Sequence, residues 1–408
     1  MNRSRRAERD VIAGLVRMTT AGNEDADLNA LLGSSDVNPQ CGEALIAVAR
    51  EHGVEAWLAG VAGPARLDGR LGSMSATLAA QRPRFLAARA RALATISRIA
   101  EVFDANDVEW AVLKGLALAA SVYPHPDWRY GVDVDVLVSP TRFESAVSQL
   151  QAAGFDLLDV NWPLMAESMP GQLRLRSPNG TTVDLHWDLL NQRELRTEFR
   201  FGTADLLQRR VIIASLPTHP PLPTLHPVDQ LLHVALHASL SGANRLVWLI
   251  DIDRLIRVSR PDWPTVLARA ERSGTGTAAA LAIARARAVY ATPITESELR
   301  RLAGGGLVGR LWLNERPLID RSRLLRTEPS RPAMAVAFAR SAREGWGRSH
   351  REFLRHGLGW LRSGRPRARL PAAWLDPDSE LSSLHPVPDQ GAKQRYFQSV
   401  TPGHGVSA

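Results

Sequence analysis

Asp133 and Asp135 stand two residues apart in Val132-Asp133-Val134-Asp135-Val136-Leu137-Val138. On a β-strand successive side chains point to opposite faces, so the two carboxylates share one face and the valines take the other. Carboxylates held side by side repel unless a cation stands with them, and hard Mg²⁺ favours such oxygen ligands. Two solvated aspartates on an exposed strand face are the alternative. Thr182-Val183-Asp184-Leu185-His186-Trp187 alternates in the same way, with Val183, Leu185 and Trp187 on one face and Thr182, Asp184 and His186 on the other. If the two strands are neighbours, Asp184 supplies a third carboxylate. The three then form a site for two metals about 3.5–4 Å apart, the device used for in-line phosphoryl transfer. His186 either orients a ligand or the acceptor, or is a structural histidine hydrogen-bonded beside its strand.

A second cue is the scarcity of lysine. Of 50 basic residues only Lys114 and Lys393 are lysines. Where Arg has replaced Lys almost everywhere, a surviving Lys marks a place that needs a compact ammonium. Lys393 lies in a polar tail, whereas Lys114 precedes Gly115 between a strand-like and a helical stretch. A glycine there lets an anion approach the backbone, and the following helix start favours negative charge. Arg129, just before the aspartate pair, is placed to grip a triphosphate bidentately. An ordinary turn is the competing explanation for Lys114-Gly115.

The elements that must position these residues follow from periodicity. Residues 1–98 read as helical, rich in Ala, Leu and Arg. Val108, Trp110 and Val112 alternate as a strand, Leu116 to Val122 as a short helix, and Val132 to Val138 as a second strand. Ser139 is the expected N-cap of a helix that runs through Phe143, Val147 and Leu150 to Gly154. Gln172–Arg176 and Thr181–Trp187 flank Ser177-Pro178-Asn179-Gly180 as a hairpin. These pieces predict an α+β fold, a small mixed-sheet core over 99–215 flanked by N- and C-terminal helical regions. A helical domain over 216–300 is expected to pack on that core, followed by an Arg-rich helical region over 301–372. Residues 373–408, with many Pro and Gly, read as a disordered tail.

Composition narrows the class. The 408 residues carry a net charge of +8, with 45% hydrophobic and 23% charged residues, the balance of a soluble protein with a core. Cys41 is the single cysteine, which excludes an intrachain disulfide and a Cys-rich zinc site. No apolar stretch approaches the roughly 20 residues that span a bilayer, and Glu8 and Asp10 stand where a signal peptide needs an apolar run. A cytoplasmic location is expected. Residues 300–370 hold 17 Arg and 5 acidic residues, a basic region suited to an anionic partner or a membrane surface. A solvated Arg-rich helix face explains it as well. The Arg and aromatic residues from Trp346 to Trp374 lack an RNA-binding signature, which disfavours nucleic acid.

Two motifs mimic chemistry. Asp251-Ile252-Asp253 repeats the Asp-x-Asp spelling, but its surroundings follow a helical period, on which residues two apart diverge. His233 and His237 have metal-ligand spacing yet lack the Glu that a zinc hydrolase carries after its first His.

Taken in order, Leu113-Lys114-Gly115, Tyr123, Arg129, Asp133 to Val138, Ala153-Gly154-Phe155 and Val183 to Trp187 resemble the uncharacterised nucleotidyltransferase family of the DNA polymerase β-type superfamily. Asp229-Gln230-Leu231-Leu232-His233 through His237, and Trp248-Leu249-Ile250-Asp251, are similar to its helical region. The resemblance spans roughly residues 90 to 260. It implies a Mg²⁺-dependent transfer of NMP from an NTP, ATP among them, with Asp133, Asp135 and Asp184 as metal ligands. It also implies phosphate binding at Lys114 and Gly115. The superfamily's usual Gly-Ser turn is replaced by Lys114-Gly115-Leu116, without a hydroxyl, and the gap to Asp133 is longer. The implied acceptor is a hydroxyl or phosphate of a small molecule, peptide or protein. A catalytically silent protein of the same fold, docking a partner through its cleft or basic C-terminal region, is the alternative.

Overall fold

The computed structural model describes residues 11, 13–20, 39–61, 72–131, 133–213, 221–304 and 382–401. The chain forms two compact units, each assembled from separate stretches. One comprises Met1–Arg89, Leu118–Tyr130 and Leu231–His356, the other Ala90–Ala117, Gly131–Gln230 and Gly357–Ala408. The expected division into consecutive blocks is therefore replaced by an interleaved one. Val132, Trp346–Trp374 and nearly all of the 300–370 basic region lie outside the described residues.

The second unit is built on a seven-stranded mixed sheet in the order β3-β4-β5-β2-β1-β7-β6. Its strands are β1 (Trp110–Val112), β2 (Asp133–Val138), β3 (Asp156–Leu157), β4 (Gln172–Arg176), β5 (Thr182–His186), β6 (Val211–Ile213) and β7 (Leu222–Thr224). β2 is central, antiparallel to β1 and parallel to β5. Val134, Val136, Val183 and Leu185 are at most 1% exposed. Each such side chain contributes about 1.5–3 kcal/mol relative to leaving it in water, which locks the register and leaves the opposite face to the polar residues.

The β4–β5 turn forms where expected: Gly180 adopts φ +85° and its N–H donates to the Ser177 carbonyl at 2.9 Å. The β2–helix junction differs in detail. Pro140–Arg142 makes a 3-10 turn before α5 (Phe143–Ala152), and the Ser139 hydroxyl meets Thr141 Oγ1 at 2.9 Å rather than capping a backbone N–H. Phe143, Val147 and Leu150 are buried at helical spacing, as an amphipathic helix requires.

Two expectations do not hold. The described residues after position 216 do not belong wholly to a helical domain, because β7 pairs with both β1 and β6 in the sheet. Nor is the 373–408 tail disordered throughout, since Gln390–Val400 is a helix, α11, capped by Asp389 Oδ1 on the Ala392 N–H at 2.9 Å. Tyr396 and Phe397 are buried and stack against Phe143 and Trp162 of α6 (Trp162–Ser168).

The described residues of the first unit are helical, with α1 (Pro39–Glu51), α2 (Glu55–Val61), α8 (Leu246–Arg254), α9 (Trp263–Ser273) and α10 (Gly276–Tyr290). α3 (Gly72–Asp104), α4 (Lys114–Ser121) and α7 (Pro227–Leu240) each have residues in both units. His233, on α7, is buried. Among the described residues no helix is long and apolar enough to cross a membrane.

Candidate metal and nucleotide site

The sheet register sets Asp135 beside Asp184 and Leu137 beside His186 on the adjacent parallel strands. Strand alternation therefore places Asp133, Asp135, Asp184 and His186 on one face. Asp135, Asp184 and His186 each offer a ligand atom, and these atoms lie within 4.8 Å of one another. His186 Nε2 is 3.2 Å from Asp135 Oδ1, and its Nδ1 is 3.3 Å from the Asp188 carbonyl oxygen. The Asp188 carbonyl at Nδ1 orients the ring so that Nε2 faces Asp135, the kind of outer partner that fixes histidines in metal sites.

Lys114 Nζ lies 3.0 Å from Asp135 Oδ1, its side chain 21% exposed. The lysine begins α4 directly after β1, and the Leu113 N–H donates to the Asp135 carbonyl at 3.0 Å, which ties the turn to β2. Gly115 follows with φ +30° and ψ −101°. No heavy atom beyond its immediate chain surroundings lies within 4 Å of where its Cβ would stand. The backbone angle, not crowding, is what calls for glycine here.

The charged groups of the site act strongly on one another. Burial opposes the ionisation of Asp135, but the Lys114 ammonium and the His186 contact hold its carboxyl well below the usual range. Burial pushes Asp184 up to about 6; His186 and Lys114 oppose the rise, and Asp135 and Asp133 add to it. Burial would lower the Lys114 ammonium, yet Asp135 above all, with Asp133 and Asp184, raises it above its ordinary value. One lysine thus faces three carboxylates. That donor set, hard oxygens with one imidazole, fits a divalent cation such as Mg²⁺ or Mn²⁺.

A family described as uncharacterised nucleotidyltransferase matches residues 39–291, more than half of the chain. The chain belongs to that family. It is a nucleotidyltransferase, an enzyme that transfers a nucleoside monophosphate group. Curated proteins yield no match.

The nucleotidyltransferase brings together Lys114, Asp135, Asp184 and His186, while Asp133 acts on Lys114 and Asp184 through its charge. Arg129 belongs to the first unit, where its Nε and Nη2 donate to the two carboxylate oxygens of Asp251, each at 2.9 Å. The Tyr123 hydroxyl donates to Asp251 Oδ1 at 2.6 Å. The bidentate grip expected for a triphosphate is made with a carboxylate. His186 enters the donor cluster more directly than an orienting role requires, and the signal was its position two residues beyond Asp184 on the same strand face.

Proposed function

We propose that the nucleotidyltransferase moves NMP from an NTP onto a hydroxyl or phosphate of a small-molecule, peptide or protein acceptor. The observation that carries this reading is the convergence of Asp135, Asp184 and His186 on one face of two adjacent parallel strands. Asp135, Asp184 and His186 would hold a divalent cation, with Asp133 supplying further oxygen ligation. When bound, such a cation neutralises the carboxylates and stabilises charge on the phosphoryl oxygens in flight.

The chain's own groups do the rest. Lys114 is a point charge beside the carboxylates, suited to a triphosphate oxygen once a cation takes over the neutralisation of Asp135. Gly115 keeps its Cβ position clear, so phosphate can lie against the backbone. The acceptor oxygen bonds to the α-phosphorus, the bond from that phosphorus to the bridging oxygen breaks, and pyrophosphate leaves. Asp184, whose carboxyl burial raises while that of Asp135 is lowered, receives the acceptor proton.

Thermal unfolding with each common NTP, with and without Mg²⁺, tests the reading. A ligand of the native state must raise apparent stability. We expect a Mg²⁺-dependent rise with at least one NTP in the wild type and none in Asp133→Asn/Asp135→Asn. A rise of equal size in the double variant would sink the assignment.

A further inference from the structure

Arg174 is directly opposite Asp184 in the antiparallel β4–β5 pair. Residues so paired share a face with Cβ atoms about 4.5–5.5 Å apart, and opposite charges there normally attract across the strands. Arg174 instead turns the other way. Its Nη2 donates to Asp159 Oδ1 at 2.6 Å, its Nε reaches the same carboxylate at 3.1 Å, and its own backbone N–H donates to Asp159 Oδ2 at 2.6 Å. The same Nη2 also donates to the Ser383 hydroxyl.

Ser383 arrives from far along the chain, outside the residues that the family matches. Its position is fixed by backbone bonds: the Val160 and Asn161 N–H groups donate to its carbonyl at 2.8 and 3.1 Å, and Asn161 Nδ2 donates to the Ser382 carbonyl at 2.9 Å. Asn161 and Val387 form a parallel bridge just before α11. Asp159 is buried at 4% exposure, and both serines are fully buried.

We infer that Asp159 and Ser383 are positioning residues that hold the Arg174 guanidinium away from Asp184 and so preserve the negative charge with which the site binds a divalent cation. The inference rests on the metal-binding reading above. An Arg174 released from Asp159 has a carboxylate waiting on the next strand, and a guanidinium on Asp184 would displace a metal far more firmly than a proton does. The C-terminal segment thereby contributes to the electrostatics of a site whose ligands all lie two hundred residues earlier.

The test uses the full chain and Mn²⁺ as probe, with bound metal read by electron paramagnetic resonance. Asp159→Asn keeps the shape and one acceptor while removing the charge, and should weaken Mn²⁺ binding about tenfold or more, the usual scale for partners one step behind a ligand. Asp159→Asn/Arg174→Gln should restore affinity to within about twofold of Arg174→Gln alone, a rescue that mere structural damage would not give. Ser383→Ala, a gentler change, should give a smaller loss that Arg174→Gln again removes. Unchanged binding in folded Asp159→Asn, or no rescue in the double variant, overturns the inference. If the wild type binds no Mn²⁺, the metal-binding reading fails. The crystal structure of Asp159→Asn then decides the positioning claim: Arg174 within 4 Å of Asp184 supports it, and Arg174 still on Ser383 overturns it.

Discussion

Among the described residues Asp-x-Asp is spelled twice, and the two copies have opposite fates. On β2, Asp133 and Asp135 project from one face and share Lys114 with Asp184. On α8, Asp251 and Asp253 diverge by about 200°. Asp251 pairs with Arg129 and Tyr123, while Asp253 pairs with Arg257 at 3.0 Å and accepts from Thr292 at 2.7 Å. Each helical aspartate has its own guanidinium. On the strands a single ammonium, that of Lys114, is acted on by Asp135, Asp133 and Asp184 together. Spacing in sequence is thus neutral; the period of the backbone decides whether two charges are answered separately or gathered on one face, where a cation can answer them together.

Substitutions at the two copies should separate along this line. The largest effect is expected at Asp135→Asn: transfer, measured as pyrophosphate release, falls by about 10²–10³-fold, with folding retained. Asp251→Asn should do the reverse. Removing one partner of a buried ion pair leaves Arg129 without its charge and costs about 3 kcal/mol in denaturant unfolding, while the affinity for Mn²⁺ stays near wild type. A loss of metal affinity as large as that of Asp135→Asn would erase the distinction.

Within the strand pair, Asp133 lies outside the tightest donor cluster. Asp133→Asn is therefore expected to lower pyrophosphate release by only about tenfold, less than Asp135→Asn. Equal losses would mean that both carboxylates ligate on the same terms.

The smallest effect concerns protons. With its folded value raised to about 6 above an unfolded value near 3.9, Asp184 makes the folded protein bind more protons than the unfolded chain between those values. Its contribution to stability therefore falls as pH rises through that window. Asp188, raised by burial to about 6, acts with the same sign. Asp184→Asn should raise the stability of the metal-free protein at pH 7–8 by about 1 kcal/mol, and metal affinity in the wild type should climb with pH up to about 6 and level off above it. Calorimetry in buffers of differing ionisation enthalpy would reveal the proton released below pH 6. Affinity that is flat from pH 5 to 8 would show that Asp184 is not a ligand.

Much of the site was legible because it sits on strands long enough to show alternation. Asp133, Asp135 and Asp184 fall on common faces by a period of two, and the rarity of lysine singled out Lys114. The proximity of β2 and β5 needed the structure, since nothing in either segment names its neighbour. Arg129 shows the limit most clearly. Its partner Asp251 is 122 residues away, and a free and a paired arginine look the same in a sequence. β3, with two residues, and β6 and β7, with three each, are too short for a period to register. α11 was hidden because flanking prolines and glycines outweighed Tyr396, Phe397 and Val400, whose burial depends on Phe143 and Trp162 far upstream.

The Tyr396 hydroxyl donates to the Pro170 carbonyl at 3.0 Å and accepts from Trp187 Nε1 at 3.2 Å, across 226 and 209 residues of chain. Contacts of such separation form late, because a long loop must close before they stabilise anything. On a ribosome, the strand that carries Asp184 and His186 emerges long before the residues that seal its end. The sheet must wait, with Trp187 lacking its Tyr396 partner, for roughly ten to forty seconds at ordinary elongation rates. The catalytic unit is among the last parts of this chain to mature, and the interval before α11 docks is when it is most open to proteases and to chaperones.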